Sequence, residues 1–328
     1  MLSMNVDNEW ELFLNGENSQ NITKPDISDT VSVPTCSNIY ISTKTKIAYL
    51  NSDIDLNLVF WKIPVSTYYS NQECVIKKQM KFNSNTPEEL CIIEKNLKNI
   101  PFSNTKIITQ INNSTGRIKY RDVRKISIGM CKKDILNNRK KEKSAFYNCF
   151  VVILRIKVEE SYKEIHVKVF NTGKLEIPGI QNDIMFCKTI ELLIKIIQPY
   201  IPKPLIFEKQ KSETVLVNSN FTCNYFINRD KLFELLKYKY RINCNYDPCS
   251  YPGIQCKYNI DKDHQMSFMI FRTGSVLIVG KCEDDTLMDI YHFLKNMFHS
   301  EYLTIYSENT SPLKKNSIPK KKRIIVYK

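Results

Sequence analysis

Hydrophobic and polar positions alternate along Ile165 to Phe170, turn at Thr172-Gly173, and resume along Lys174 to Ile177, which is the pattern of a tight β-hairpin. A second β-rich pair of runs, Met266 to Phe271 and Ser275 to Val279, flanks Thr273-Gly274 in the same way, though more continuously apolar, with Gly179 and Gly280 standing at equal spacing behind the two turns. Each hairpin runs into apolar residues at helical spacing. The first stretch is Asp183 to Gln198, with Ile184, Cys187, Ile190, Ile194 and Ile197; the second is Asp285 to Phe298, with Leu287, Ile290, Tyr291, Leu294 and Phe298. The acidic lead Glu283-Asp284-Asp285-Thr286 suits a helix N-terminus. A duplicated hairpin plus helix predicts two α+β halves related by a pseudo-twofold axis, because each half alone leaves one sheet face uncovered.

The remaining segments extend both copies. Strands are predicted at Ser37 to Tyr49, Phe146 to Val158 and Thr214 to Cys223, a short helix within Asp53 to Ile63, and a longer one over Asn228 to Tyr240. Pro199, Pro202 and Pro204 make a stiff link between the halves. Residues 70 to 143 interrupt the first copy. They hold 17 Lys or Arg against 7 Asp or Glu, with strand-like pieces at Lys106 to Ile111 and Val123 to Ile128. This insertion reads either as a solvated excursion or as a basic platform for nucleic acid. The organisation expected is an acidic, disordered arm (1–32), a first repeat with insertion (33–210), a second repeat (211–300) and a basic tail (301–328).

Charge and cysteine usage narrow the partners. The 328 residues carry a net charge of +14, most of it in the insertion, so an acidic partner is expected, nucleic acid first. Eleven cysteines, scattered and without a CxxC pair, point to reduced thiols inside a cell. Cys244, Cys249 and Cys256 with His264 beyond are too irregularly spaced for a zinc site, so no metal and no cofactor are expected. The acidic start argues against a signal peptide, and no apolar run approaches a membrane span. His166, His264, His292 and His299 form no constellation with Ser, Cys or carboxylates, so no catalytic site is expected. In the arm, Trp10, Leu12, Phe13 and Leu14 sit among acids, a composition typical of an interaction motif, with Trp10 and Phe13 as its anchors.

The duplicated motif resembles a known family. Tyr246-Asp247-Pro248-Cys249-Ser250-Tyr251-Pro252-Gly253-Ile254, followed by Met269-Ile270-Phe271-Arg272-Thr273-Gly274 and Gly280, is similar to the second repeat of the TATA-box-binding protein (TBP) family. Ser37-Asn38-Ile39, Val152-Ile153-Leu154-Arg155-Ile156 and Phe170-Asn171-Thr172-Gly173-Lys174 resemble the first. The Asn/Ile/Lys-rich wording and the long insertion look like the TBP-like proteins of large nucleocytoplasmic DNA viruses. The resemblance implies an α+β saddle, a curved antiparallel sheet with helices on its convex face, whose concave face enters the DNA minor groove with Phe wedges. The TBP family is itself the type example of that binding mode.

Carried over residue by residue, the resemblance puts groove-facing amides at Asn38 and Asn218. Wedge positions fall on Cys149 and Phe170 in one repeat and on Tyr251 and Phe271 in the other. Arg155 is a candidate phosphate contact. Strand alternation adds Lys168 beside Phe170, then Lys174, Glu176 and Pro178; in the second copy it adds Met269, Ser275, Leu277 and Val279. Glu176 is expected to stand unpaired against the electronegative groove floor, making the saddle asymmetric. The function implied is a non-enzymatic transcription-initiation factor on AT-rich double-stranded promoter DNA, presenting its stirrup to a TFIIB-like factor and RNA polymerase. Of the family's acidic stirrup only Asp247 remains. The setting implied is intracellular, a viral factory in the host cytoplasm or nucleus, with Pro319 to Arg323 as a candidate nuclear signal. The rival reading is a protein that uses the same sheet to bind protein partners. A nuclease or glycosylase would require clustered carboxylates or a Lys-Asp pair that the sequence lacks.

Overall fold

The structure, a computed structural model, describes residues 32–136, 147–260 and 265–308. The described residues fall into two units: Thr45–Thr214, and those up to Lys44 together with those from Val215 onward. Residues 1–31 with Trp10 and Phe13, His264, and residues 309–328 with Pro319 to Arg323 lie outside the described residues, whereas Tyr302 and Ile305, expected in the tail, are buried in the second unit's core.

The first unit contains the later part of β1 (Tyr40–Tyr49), then α1 (Leu56–Lys62), β2 (Cys74–Ser84), α2 (Pro87–Leu97), β3 (Ser103–Asn112), β4 (Tyr120–Gly129) and α3 (Lys132–Leu136). It continues through β5 (Cys149–Val158), β6 (Ser161–Phe170), β7 (Lys174–Ile180) and α4 (Asp183–Ile197). Its strands are ordered β3-β4-β2-β5-β6-β7-β1. The second unit contains β8 (Glu213–Thr222), α5 (Arg229–Glu234), a π-helical turn (Leu235–Lys239), β9 (Asn243–Asn245), β10 (Ile254–Asn259), β11 (Gln265–Ile270), β12 (Ser275–Gly280), α6 (Asp284–Ser300) and α7 (Tyr302–Ile305). There the order is β8-β12-β11-β10-β9. Every strand pair with a defined register is antiparallel. The fold class is therefore α+β, as the repeated hairpin-plus-helix pattern led one to expect.

Alternation decides which face each strand buries. In the first unit Phe150, Val152, Leu154 and Ile156 of β5 and Ile165, Val167 and Val169 of β6 pack with Phe60 of α1 and Phe186, Ile190 and Leu193 of α4. In the second, Val276 and Ile278 of β12 and Phe268 and Ile270 of β11 pack with Leu232, Leu287, Ile290 and Leu294. Helix starts follow from side-chain caps: Asp55, Asn182 and Asn228 each accept a hydrogen bond from the backbone N–H three residues ahead. Both hairpin glycines have positive φ. A Cβ on Gly173 would lie 2.5 Å from the Ser52 carbonyl oxygen and one on Gly274 2.3 Å from that of Tyr225, so each turn lies against the chain that follows β1 or β8.

Several expectations are corrected. Residues 33 to 44, read as the start of the first repeat, belong to the second unit, where Val33, Cys36, Ile39 and Ile41 pack on its core. The helix expected over Asn228 to Tyr240 is α only as far as Glu234 and then widens into the π turn. The insertion contributes β2, β3 and β4 to the sheet, β2 pairing directly with β5. β2 escaped sequence reading because Lys77 and Lys78 interrupt its apolar run, yet both are buried. Lys77 Nζ lies 2.6 Å from Asp134 Oδ1. Lys78 Nζ donates to the carbonyls of Phe60 and Ile63, each at 2.6 Å, satisfying the exposed end of α1. α2, also missed, had a legible start in Thr86-Pro87-Glu88-Glu89: Thr86 Oγ1 accepts from the Glu89 N–H, and Glu89 Oε2 accepts from the Asn85 N–H.

Candidate nucleic-acid interface

In each unit the main helices, α1 and α4 or α5 and α6, pack on one sheet face, and the alternate residues of the strands form the opposite face. In the second unit that face carries Leu216, Asn218, Asn220 and Thr222 on β8, all partly exposed. Across the pairing, Val279 stands opposite Asn218, Leu277 opposite Asn220 and Ser275 opposite Thr222. Met269 stands opposite Leu277, and Gln255 opposite Met269. The result is a strip of aliphatic side chains edged by amides and hydroxyls, with no ionised group among these residues. Asn218 Nδ2 donates to Thr43 Oγ1 at 3.1 Å, and Ser42 Oγ donates to the Asn218 carbonyl. Thr43, which sequence reading passed over, is thus the residue that meets Asn218. Asn38 lies exposed in the extended chain ahead of β1.

At the end of this strip Tyr251 and Phe271 pack with ring centroids 5.9 Å apart and planes tilted by 56°. Phe271 is only 3% exposed. A Cβ on Gly253 would come within 2.9 Å of Phe271 Cε1 and 3.1 Å of Tyr251 Cε1, so the pairing depends on a glycine there. The Tyr251 hydroxyl lies 3.5 Å from Met269 Sδ, and burial pushes its pKa up. Tyr251 is the more accessible of the two rings. Behind it, Asp247 accepts from the Cys249 N–H at 3.0 Å and from the Ser250 hydroxyl, and these bonds, that of Ser250 foremost, hold its carboxyl below the usual range. Asp247 is exposed and shapes the turn.

The first unit's corresponding face has different chemistry. Phe170 is partly exposed opposite buried Cys149, with Lys174 Nζ 5.9 Å from its ring centroid. Lys168 and Glu176 are strand partners whose Nζ and Oε1 lie 2.6 Å apart. Glu176 is therefore paired, correcting the expectation of an isolated carboxylate: the cross-strand register places a lysine against it. Further along, Ile153 packs with Cys74, Ile76 and Cys131 in a small separate cluster. Arg155, 9% exposed, donates to the Ser70 carbonyl at 2.7 Å and lies over the Tyr68 ring at 4.9 Å. Residues 66–73 and α3 hold this covering in place. Ser66 N–H bonds to the Val75 carbonyl, the Tyr162 hydroxyl to that of Asn71, and the Lys132 N–H to both Glu164 carboxylate oxygens. The burial and bonding of Arg155 are accounted for inside the protein, without a phosphate. The signal for this was the run of apolar and cysteine residues in β2, which needs a second covered face.

Among the described residues no group of three or more His, Cys, Asp or Glu is placed to hold a metal ion, and no helix is long and apolar enough to cross a membrane.

These units define a class: an α+β protein whose strand-and-helix order is written twice, each copy burying one sheet face under helices, with the other face turned outward in the second copy and partly covered in the first. No family model matches the chain. Among curated proteins, a TATA-box-binding protein-like protein of Acanthamoeba polyphaga mimivirus is 24% identical over 209 residues, which cover 56% of this chain and 56% of the relative. The chain thus spans about half the length of that relative. Among solved structures, Methanococcus jannaschii TBP aligns with 80% of this chain and 99% of its own, at 13% identity and a TM-score of 0.44. The similarity to a viral TBP-like protein agrees with the resemblance carried by the duplicated motifs.

Proposed function

We propose that this protein is a non-enzymatic transcription-initiation factor that engages AT-rich promoter DNA through the minor groove and recruits a TFIIB-like factor and RNA polymerase. The observation that carries this reading is the uncovered face of the second unit, where Leu277 and Val279 lie beside the amides of Asn218 and Asn220. The minor groove of A·T pairs offers acceptors on its floor and apolar sugar walls, which side-chain amides and aliphatic groups complement; a carboxylate there is repelled. The basic insertion and the net charge of +14 add sequence-independent attraction for phosphates. Asp247, on an exposed turn, is the candidate contact for a protein factor.

The first unit favours a second reading, in which the sheet binds protein. Its face carries the Lys168–Glu176 pair, and Arg155 is covered. The two readings separate in one experiment, the binding of AT-rich and GC-rich duplexes at low and moderate salt. Promoter binding predicts submicromolar affinity at low salt, a preference for the AT-rich duplex and a steep loss with salt. Absence of binding at low salt rules it out in favour of protein partners.

A further inference from the structure

The second unit contains a pair of thiols that its interface chemistry does not use. Cys244 of β9 and Cys256 of β10 are register partners in an antiparallel pair, flanked by Asn243 opposite Lys257 and Asn245 opposite Gln255. Directly opposed residues in such a ladder have Cα atoms about 4.5–5.5 Å apart, within the roughly 4.4–6.8 Å that a disulfide spans. Each thiol acts on the other's ionisation, with Cys244 lowered and Cys256 raised. Cys256 is 1% exposed, whereas Cys244 is half-buried at the sheet edge and reachable from solvent. The other strand cysteines have no such partner: Cys74 stands opposite Arg155 and Cys149 opposite Phe170.

We propose that Cys244 and Cys256 form a reversible dithiol–disulfide couple, oxidised by a small disulfide such as glutathione disulfide, which staples β9 to β10 and closes the chain around the turn that carries Asp247 and Tyr251. Cys244 is the attacking thiol. The Cys256 thiol and the nearby charge of Lys237 hold it below the ordinary thiol range. Its thiolate attacks one sulfur of glutathione disulfide, breaking that S–S bond, forming a mixed disulfide and releasing one glutathione thiolate. Cys256 then gives up its proton to the released thiolate and attacks the Cys244 sulfur. The mixed disulfide breaks and the second glutathione leaves, taking a proton from solvent. Two protein thiols are oxidised and one glutathione disulfide is reduced to two thiols. Cys256 is held above the ordinary range chiefly by Cys244, with burial adding to this. Conversion of Cys244 to the mixed disulfide removes the negative charge that opposes its ionisation.

β9 is only three residues long, so a covalent tie matters more there than in the longer strands. The tie restrains residues 245–255, which include Gly253 and the Tyr251 ring packed on Phe271.

The test equilibrates the full chain in glutathione buffers of graded redox ratio, alkylates remaining thiols, and maps the tryptic peptide 242–257, which contains Cys244, Cys249 and Cys256. The expected result is a peptide lighter by two hydrogens with only Cys249 alkylated, reversed by dithiothreitol. It should be retained in Cys249→Ser and lost in Cys244→Ser. Amide exchange between residues 246 and 253 should slow on oxidation. Loss of the bridge in Cys249→Ser, a stable glutathione adduct on Cys244 in place of the bridge, or full alkylation of both partners under oxidising buffer would each overturn the proposal. Cys244→Ser replaces the half-exposed member of the pair, and fragmentation of the wild-type peptide assigns the bridge without any variant.

Discussion

Phe170 and Phe271 occupy the same place in the duplicated hairpin, yet the first is partly exposed beside Lys174 and the second is buried against Tyr251 and Gly253. The contrast extends across both units. In the second the outward face is apolar with amide edges; in the first it carries an ion pair at one end, while residues 66–73 and α3 cover the other. The difference lies in what each β-hairpin was given as a neighbour. A strand inserted beside β5 needed its own apolar residues covered, and covering them took Arg155 with it. Duplication copied the backbone pattern, and the insertion changed the chemistry of one copy.

The largest expected effect tests this contrast directly. Phe271→Ala should lower unfolding stability by about 3–5 kcal/mol, as for other buried phenylalanines, and Phe170→Ala by about 1 kcal/mol. Urea titrations of both variants measure it, and equal losses would show that the two rings are equivalently packed. Next is DNA affinity. Leu277→Glu places a carboxylate in the amide-edged strip and should weaken duplex binding about a hundredfold, near 2.7 kcal/mol, whereas Val151→Glu in the first unit should cost tenfold or less. Fluorescence anisotropy at low salt distinguishes them; similar losses would mean that both faces meet DNA alike.

Lys78 marks a further difference, since it ties the first unit's added strand to α1. Burial lowers its pKa from 10.5 to about 8. Between those values the unfolded chain binds the proton more than the folded one does, so stability rises with pH across that window. Removing the ammonium should abolish this slope. The stability difference between wild type and Lys78→Met should shift in favour of wild type by roughly 2–3 kcal/mol from pH 7 to pH 10. A difference independent of pH would show that the lysine ionises as freely in the fold as in water. The smallest effect concerns Lys168 and Glu176. A double-mutant cycle should give a coupling of about 0.2–1 kcal/mol, as for other partly exposed pairs, and Glu176→Gln should tighten duplex binding a few-fold. Weaker binding by Glu176→Gln would argue that the carboxylate belongs to a protein-binding surface.

The duplicated hairpins, the helices behind them and the α+β class were legible because each rests on local spacing: period two for strands, helical spacing behind, glycine at the turns. The same alternation placed Leu277 with Val279, Lys168 with Phe170, and Lys174 with Glu176; that Asn218 lies opposite Val279 and Lys168 opposite Glu176 comes from the register. α2 was legible in principle from its Thr-Pro-Glu-Glu start. What alternation cannot say is whether a face stays open, because that depends on segments distant in the chain. The family resemblance makes Arg155, in an apolar strand, a candidate phosphate contact, and only the docking of Tyr68 and the Ser70 carbonyl shows its guanidinium already engaged. β2 reads as broken by two lysines until Asp134 and the carboxy-terminal carbonyls of α1 are seen beside them. The pairing of Cys244 with Cys256 likewise follows from register, which sequence spacing across a turn leaves open. Local backbone and side-chain geometry therefore determined the elements and their two-sidedness, and long-range docking decided which of those sides meets solvent, because a side chain's burial is set by whatever comes to lie on top of it.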